Sequence, residues 1–163
     1  MQSMRIGTGY DIHRTEVGRR LVLGGVVIPW DRGLVGHSDA DVVLHAICDA
    51  LLGAAGLGDI GELFPDSDPQ HKDAASARFV TAVVQRVRAV GYAPVNVDVT
   101  ILAEQPRLST YKSAIRESVA GLCGLAASAV GIKAATNEGL DSIGRGEAIA
   151  CQVVVLLAAR PAS

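Results

Sequence analysis

Aromatic residues, cysteines and charge of one dominant sign are all scarce in this sequence. Only 4% of the 163 residues are aromatic although 49% are hydrophobic. Val, Leu, Ile and Ala must therefore build the core, and we expect apolar surface to remain for a subunit interface. The formal net charge is −2 and the basic residues form no run, which argues against binding to nucleic acid or to a membrane surface. Small molecules are the expected partners.

The three cysteines, Cys48, Cys123 and Cys151, are odd in number and far apart. This spacing fits neither a disulfide framework nor a Cys-rich zinc site, so we expect three small core residues in a reducing compartment. No apolar stretch reaches the ~20 residues of a membrane span, and the first ten residues lack the apolar centre of a signal peptide. The sequence predicts a soluble, cytoplasmic protein.

The chain shows neither an internal repeat nor a linker-like tract, which predicts one domain over residues 1–163. Residues 5–13 and 20–28 are interpreted as two strands of an N-terminal β-hairpin that turns around Gly18. Apolar residues at helical spacing predict helices over 38–55, over 74–90 and from about residue 108.

Further strands are predicted over 95–102, 130–136 and 148–158, the last apolar on both faces and therefore central. Together these elements predict an α/β fold, a two-layer sandwich of helices on a small mixed sheet.

The stretch "GTGYDIHRTE", residues 7–16, sets Asp11 and His13 two positions apart. In a strand their side chains would point the same way, because successive residues alternate between the two faces. For an isolated Asp-x-His pair, an exposed strand end with a hydrogen-bonded couple is the more ordinary interpretation. A third partner would favour a metal site instead.

His45 supplies that partner on the first predicted helix. It lies four residues after Asp41 and four before Asp49, so the three share one face. That face is either a solvated stripe or a metal ligand whose second ring nitrogen is held by a carboxylate, for which Asp49 is the candidate. Asp11, His13 and His45 are ligands of the types that Zn²⁺ prefers, and three of them leave one tetrahedral position open, as in catalytic zinc sites.

The start of the same predicted helix is a candidate phosphate site. "GHSDAD" places Gly36, His37 and Ser38 where free backbone N–H groups and the helix dipole attract anions. The alternative is that Ser38 only caps the helix and His37 is only a loop residue. Their closeness to His45 favours the phosphate site.

Two polar segments remain open to more than one interpretation. "GLGDIGELFPDSDP" carries Asp59, Glu62, Asp66 and Asp68 as turn residues or as carboxylates that bind hydroxyls.

Near the C-terminus, Thr136, Glu138 and Arg145 concentrate polar groups between strands. Glu138 is a candidate ligand of an oxygen-preferring cation such as Mg²⁺, or it is surface charge.

Four segments, in order and over nearly the whole chain, resemble the 2-C-methyl-D-erythritol 2,4-cyclodiphosphate synthase family of the non-mevalonate isoprenoid pathway: "GTGYDIHR", "GHSDADVVLHAICDALLGAAGLGDIGELFPDSDP", "NVDVTILAEQPRL" and "KAATNEGLDSIGRGEAIA". The resemblance implies a homotrimer with active sites at subunit interfaces. It implies Zn²⁺ plus Mg²⁺ or Mn²⁺ as cofactors. The implied reaction converts 4-diphosphocytidyl-2-C-methyl-D-erythritol 2-phosphate into the cyclic diphosphate and CMP.

The resemblance also implies site residues. Zinc is implied on Asp11, His13 and His45, and the second metal on Glu138. The implied catalytic side chains are His37, Thr136 and Glu138. Substrate contacts are implied for Ser38 and Thr136 with phosphates, for Asp59, Ile60, Gly61 and Asp66 with the methylerythritol part, and for Ala103, Pro106, Arg107, Leu108, Ala134 and Ala135 of a neighbouring subunit with cytidine.

The implied chemistry explains why a Ser or Cys nucleophile is not needed. The substrate's own 2-phosphate is ionised at neutral pH and attacks phosphorus in line, so catalysis reduces to positioning and charge neutralisation. A zinc hydrolase that activates water and a non-catalytic metal-binding module are the two rival interpretations.

The chain departs from the family pattern at four positions, Gly139, Asp141, Ser142 and Ala148. In the family these positions lie near the trimer axis, where a cavity lined partly by Arg145 can hold an isoprenoid diphosphate. The resemblance therefore does not carry that ligand over to this chain.

Overall fold

The computed structural model describes residues 3–65 and 74–160. The strands are β1 (Met4–Val17), β2 (Leu21–Leu23), β3 (Val26–Ile28), β4 (Arg32–Leu34), β5 (Tyr92–Leu102), β6 (Val130–Ala135) and β7 (Ala148–Ala159). The helices are α1 (Val42–Ala55), α2 (Ile60–Leu63), α3 (Ala77–Ala89), α4 (Lys112–Cys123) and α5 (Asp141–Gly144), with a short 3₁₀ turn at Ala127–Ala129. Asp66 and Asp68 lie outside the described residues.

A five-stranded sheet of order β4-β1-β7-β5-β6 forms the centre of the molecule. β7 runs antiparallel to both of its neighbours, β1 and β5, whereas β5 and β6 are parallel. The central position of β7 confirms the prediction from its apolar sequence. The mixed α/β architecture is also confirmed.

The predicted N-terminal hairpin is wrong in its pairing. β1 pairs with β4 and β7, and the segment 20–28 is split into β2 and β3, which pair only with each other. Gly24 and Gly25 separate them with φ of +61° and +78°. Such a two-residue turn with left-handed backbone matches the twist of a tight hairpin, and glycine adopts it without steric cost.

Helix α1 begins later than predicted, because Asp41 and not Ser38 is its N-cap. The Asp41 carboxylate accepts hydrogen bonds from the backbone N–H groups of the first turn and from those of Gly24 (2.9 Å) and Gly25 (2.7 Å). Asp41 is fully buried, and burial raises its pKa to about 6. This carboxylate therefore ties the β2–β3 turn to the start of α1.

Helix α1 packs directly on β1 through two glycines. A Cβ atom at Gly7 would lie 2.0 Å from the carbonyl oxygen of Ala50, and one at Gly9 would lie 1.9 Å from that of Ala46. Side chains on this face of β1 therefore point at α1, and Asp11 and His13 follow in the same alternation. The close approach brings the strand ligands to the helix that carries His45.

We predict that Gly9→Ala destabilises the protein by about 3 kcal/mol, because the methyl group forces β1 away from α1. Urea unfolding at fixed protein concentration measures the loss. Gly53→Ala is the matched control, since a methyl group at Gly53 would meet no described atom within 4 Å and alanine favours the helix by about 0.5–1 kcal/mol. Equal stability of the two variants would contradict the close packing.

The face of the sheet opposite α1 leaves large apolar side chains exposed. They alternate along β1 and continue on β7: Met4, Ile6, Tyr10, Ile12 and Val154. We call this surface the open face.

All three cysteines are buried, as predicted. Within residues 3–65 and 74–160, no helix combines the length and apolarity needed to cross a membrane.

Candidate active site

Asp11, His13 and His45 meet at one end of the contact between β1 and α1. Asp11 Oδ2 lies 3.0 Å from His13 Nε2 and 3.1 Å from His45 Nδ1. A potential ligand atom of each residue lies within 4.8 Å of those of the other two. The structure thus brings together the three residues predicted to bind metal.

The other ring nitrogen of each imidazole, on the side away from Asp11, also contacts a polar group. His13 Nδ1 donates to the carbonyl oxygen of Val35 at 2.7 Å. His45 Nε2 lies 2.9 Å from Ser76 Oγ and 3.2 Å from Ser38 Oγ. His13 Nε2 and His45 Nδ1 therefore remain on the side of Asp11.

Asp11 is ionised in this setting. Burial acts to raise the pKa of its carboxyl, but the hydrogen bonds with His13 and His45 outweigh burial and hold that pKa well below its usual range. A carboxylate that keeps its charge while partly buried is a good ligand for a divalent cation.

The donor set fits zinc. With zinc–ligand bonds of about 2.0–2.1 Å, two ligand atoms of a tetrahedral site lie about 3.3–3.4 Å apart. The distances from Asp11 Oδ2 to His13 Nε2 and His45 Nδ1, 3.0 Å and 3.1 Å, are close to that separation. The side chains are 16–24% exposed, so the cluster opens to a cavity on one side. Two imidazoles and one carboxylate with such an opening match a catalytic zinc site better than a closed structural one.

Asp49 does not hold His45 in the way predicted. Its Oδ1 accepts a hydrogen bond from the backbone N–H of Ile60 at 2.8 Å, which joins α1 to the start of α2. The i, i+4 spacing puts Asp49 on the same face as His45, but the imidazole faces Asp11 on one side and Ser76 on the other. The carboxylate behind His45 is instead Asp39, reached through Ser76.

A cavity of about 790 Å³ opens beside the three ligands. Four further predicted residues line it: His37, Ser38, Ile60 and Gly61. Asp59 is the N-cap of α2, where its Oδ1 accepts from the N–H of Glu62 at 2.9 Å.

The predicted anion site at the helix start needs one correction. Because Asp41 satisfies the first N–H groups of α1, residues 36–38 form a loop before the helix. His37 and Ser38 still border the cavity, so they can bind an anion with side-chain donors but not with the free helix end.

A second, smaller cavity of about 270 Å³ lies at the carboxyl ends of β5 and β6. Its lining includes every residue assigned to the nucleoside by resemblance, and Thr136: Ala103, Pro106, Arg107, Leu108, Ala134, Ala135 and Thr136. The register places Ala134 level with Asp11, three strands away, which corresponds to about 14 Å. The two cavities are therefore separate within one chain.

Glu138 is exposed, has a φ of +51°, and accepts a hydrogen bond from Thr136 Oγ1 at 3.3 Å. Arg145 forms a two-point ion pair with Glu147, at 3.0 Å and 2.9 Å. The structure brings Glu138 to the edge of the smaller cavity through Thr136. Arg145 is engaged elsewhere.

Sequence reasoning missed Ser76 and Phe79. Ser76 is fully buried beside His45, and the ring of Phe79 lies 6.4 Å from that of His45 and stacks on Phe64 at 4.6 Å. Both residues come from the start of α3, more than thirty positions after His45. A serine just before a helical apolar stripe was a visible signal, but it is normally assigned to capping.

Comparisons with known proteins identify the family and agree with the fold. The model of the YgbB family matches residues 4–158. A 2-C-methyl-D-erythritol 2,4-cyclodiphosphate synthase from Moorella thermoacetica is 55% identical over 159 residues, which covers 98% of each chain. The structure of bifunctional IspDF from Campylobacter jejuni matches with a TM-score of 0.94 and 39% identity, over 98% of this chain and 43% of that one. The CDP complex of IspF from Plasmodium falciparum matches with a TM-score of 0.86 and 34% identity, over 98% and 99% of the two chains.

Proposed function

Because the chain belongs to the YgbB family, we propose that it acts as a 2-C-methyl-D-erythritol 2,4-cyclodiphosphate synthase in isoprenoid precursor biosynthesis. The observation that carries the proposal is the cluster of Asp11, His13 and His45 at the edge of the larger cavity, in a chain that is 55% identical over 159 residues to a relative of that name. In this reaction the 2-phosphate of 4-diphosphocytidyl-2-C-methyl-D-erythritol 2-phosphate attacks the β-phosphorus, and CMP leaves.

We assign Asp11, His13 and His45 to Zn²⁺ and Glu138 to Mg²⁺ or Mn²⁺. When bound, the two cations supply Lewis-acid charge neutralisation for the diphosphate. The ionised carboxylate of Asp11 and the two oriented imidazoles support this assignment for zinc. An exposed carboxylate beside Thr136 supports it for the second cation.

The protein's own task is to hold the reacting phosphates in line. His37 and Ser38 border the larger cavity and can donate hydrogen bonds to phosphate oxygens. Ile60 and Gly61 of α2 also line this cavity, and Asp59 caps that helix, so we assign this region to the methylerythritol hydroxyls. Positioning of this kind supplies much of the rate enhancement when the nucleophile is already ionised.

We assign the smaller cavity to cytidine. Its backbone groups and small side chains at Ala103, Ala134 and Ala135 leave room for a flat base against the sheet end. The CDP complex of the Plasmodium falciparum relative is consistent with a cytidine nucleotide as the ligand class. Because the two cavities are separate in one chain, we propose that each active site combines the larger cavity of one subunit with the smaller cavity of its neighbour.

Incubation with the diphosphocytidyl substrate tests the function. We expect equimolar CMP and cyclic diphosphate, identified by mass spectrometry and phosphorus NMR. An open-chain phosphate product would indicate the zinc hydrolase instead. Absence of any turnover in zinc-loaded protein with Mg²⁺ would indicate a non-catalytic metal-binding module.

We propose a homotrimer built on the open face. This face exposes Ile6 at 74% and Met4 at 63%, apolar side chains that a solitary subunit would leave in water. The ion pair between Lys133 and Asp98, at 2.6 Å, lies across β5 and β6 farther along the same sheet. Association through this surface would cover the apolar residues and bring neighbouring cavities together.

Ile6→Asp is expected to give monomers that lose turnover, because a charge on the open face opposes its burial. Light scattering measures the mass, and the CMP assay measures the loss. Val90→Asp is the matched control, since Val90 is 46% exposed at the end of α3, away from the open face. A fully active monomer would refute the shared site, and trimers of unchanged stability in Ile6→Asp would refute the open face as the interface.

A further inference from the structure

A polar pair, one residue fully buried and the other half-buried, lies behind His45 on the side away from Asp11. Ser76 is fully buried, and its hydroxyl lies 2.9 Å from His45 Nε2. The same hydroxyl donates a hydrogen bond to Asp39 Oδ1, and Asp39 Oδ2 accepts from the backbone N–H of Ser76 at 3.1 Å. We call these two residues the Ser76–Asp39 pair.

The position of Ser76 in its helix shows that this contact replaces a structural one. Ser76 occupies the N-cap of α3, where a serine hydroxyl usually accepts a hydrogen bond from the first turn. Here the side chain makes no capping hydrogen bond. Its hydroxyl is directed to Asp39 and His45, so the helix gains little from this serine and the imidazole gains a partner.

The donors and acceptors define which ring nitrogen carries the proton. The Ser76 hydroxyl has one proton, which it donates to Asp39 Oδ1, so towards His45 it can only accept. Ser38 Oγ lies farther from Nε2, at 3.2 Å, and also lies 3.4 Å from Ser76 Oγ, to which it can donate its own proton. The shorter contact, with Ser76, therefore favours His45 Nε2 as an N–H donor and leaves Nδ1, on the side of Asp11, as the nitrogen that can bind a metal.

His13 shows the opposite arrangement with the same result. Its Nδ1 donates to the Val35 carbonyl oxygen, which places Nε2 on the side of Asp11, 3.0 Å from Oδ2. To bind one metal the two imidazoles thus use different ring nitrogens, and each ring is held by a separate partner. For His13 the partner is backbone, which no side-chain substitution removes, whereas for His45 it is the Ser76–Asp39 pair.

We propose that Ser76 and Asp39 are positioning residues that hold His45 in the Nε2–H tautomer and so raise the affinity of the site for zinc. This inference rests on the zinc assignment made above. Partners of this kind orient a metal-binding imidazole and increase its basicity, and their loss typically costs about 10- to 100-fold in metal affinity.

The test compares zinc-loaded wild type with Ser76→Ala, Asp39→Asn and Thr81→Ala. Zinc dissociation constants come from competition with a chelator of known affinity. In ¹⁵N-labelled protein, the Nε2–H resonance of His45 reports its hydrogen bond. Thr81→Ala is the matched control, because it removes an exposed hydroxyl from the same helix that bonds only to the carbonyl of Ala77.

We expect Ser76→Ala to weaken zinc binding by about 10- to 100-fold and to expose the Nε2–H proton to solvent exchange, whereas Thr81→Ala keeps wild-type values. Asp39→Asn should show a smaller loss of the same sign, and it decides the matter if Ser76→Ala does not fold. The inference is overturned if Ser76→Ala keeps the wild-type zinc affinity and an unchanged His45 Nε2–H resonance. If Ser76→Ala does not fold, the same result in Asp39→Asn overturns it. Wild-type protein that binds no zinc would instead overturn the zinc assignment.

Discussion

His45→Ala is expected to empty the proposed zinc site and to lower turnover by about 10³-fold. His45 is the only one of the three ligands that comes from α1, and its Nδ1 completes the set around Asp11 Oδ2. Without it, Asp11 and His13 offer two ligands, too few for a stable zinc site. A cation that neutralises a diphosphate is worth several kcal/mol, and each 1.36 kcal/mol corresponds to about tenfold in rate.

Elemental analysis of the purified variant measures zinc per chain, and the CMP assay measures turnover. His37→Ala is the matched control: it removes another imidazole from the same cavity but not one of the three ligands. We expect it to keep about one zinc per chain while it loses activity. Full zinc occupancy in His45→Ala would place the metal elsewhere.

The strand ligands could be predicted from the sequence because alternation along a strand is a local property. The Asp-x-His spacing puts both side chains on the face of β1 that also carries Gly7 and Gly9, and the contact with α1 follows from those glycines. The central place of β7 could be predicted for a similar reason, since a strand apolar on both faces must be covered on both.

The start of α1 could not be predicted, because its cap is chosen by a distant contact. Ser38, Asp39 and Asp41 are all suitable N-cap residues. Asp41 is the cap because its carboxylate also accepts hydrogen bonds from the backbone N–H groups of Gly24 and Gly25 in the β2–β3 turn. The position of that turn depends on the pairing of β2 with β3, which the sequence pattern predicted wrongly.

The partner of His45 was mispredicted for a related reason. Helical spacing specifies that Asp49 shares a face with His45, but it does not specify which way the ring turns. The ring faces Ser76, which follows it by 31 positions and reaches the site only when α3 packs against α1. Contacts between distant segments depend on packing, which local periodicity does not describe.

Substitution of Glu138 distinguishes the role of the proposed second cation from that of the proposed zinc. Its carboxylate lies outside the zinc cluster, is exposed, and contacts Thr136 Oγ1. Its φ of +51° is a left-handed conformation that costs free energy for any residue other than glycine, and glutamine would bear the same cost. Glu138→Gln therefore changes charge while it keeps side-chain size and backbone strain.

We expect Glu138→Gln to lower kcat by about 10²-fold or more, the scale seen when one electrostatic contact to a developing charge is removed. A hard cation prefers a charged oxygen ligand, so added Mg²⁺ or Mn²⁺ should restore activity only in part. Zinc content, trimer mass and unfolding midpoint should stay at wild-type values, because Asp11, His13 and His45 are unchanged.

Glu117→Gln, at an exposed site on α4, is the control with the same change of charge. If Glu138→Gln keeps full activity and the same dependence on divalent concentration, Glu138 is surface charge, and the second cation must be held by other groups.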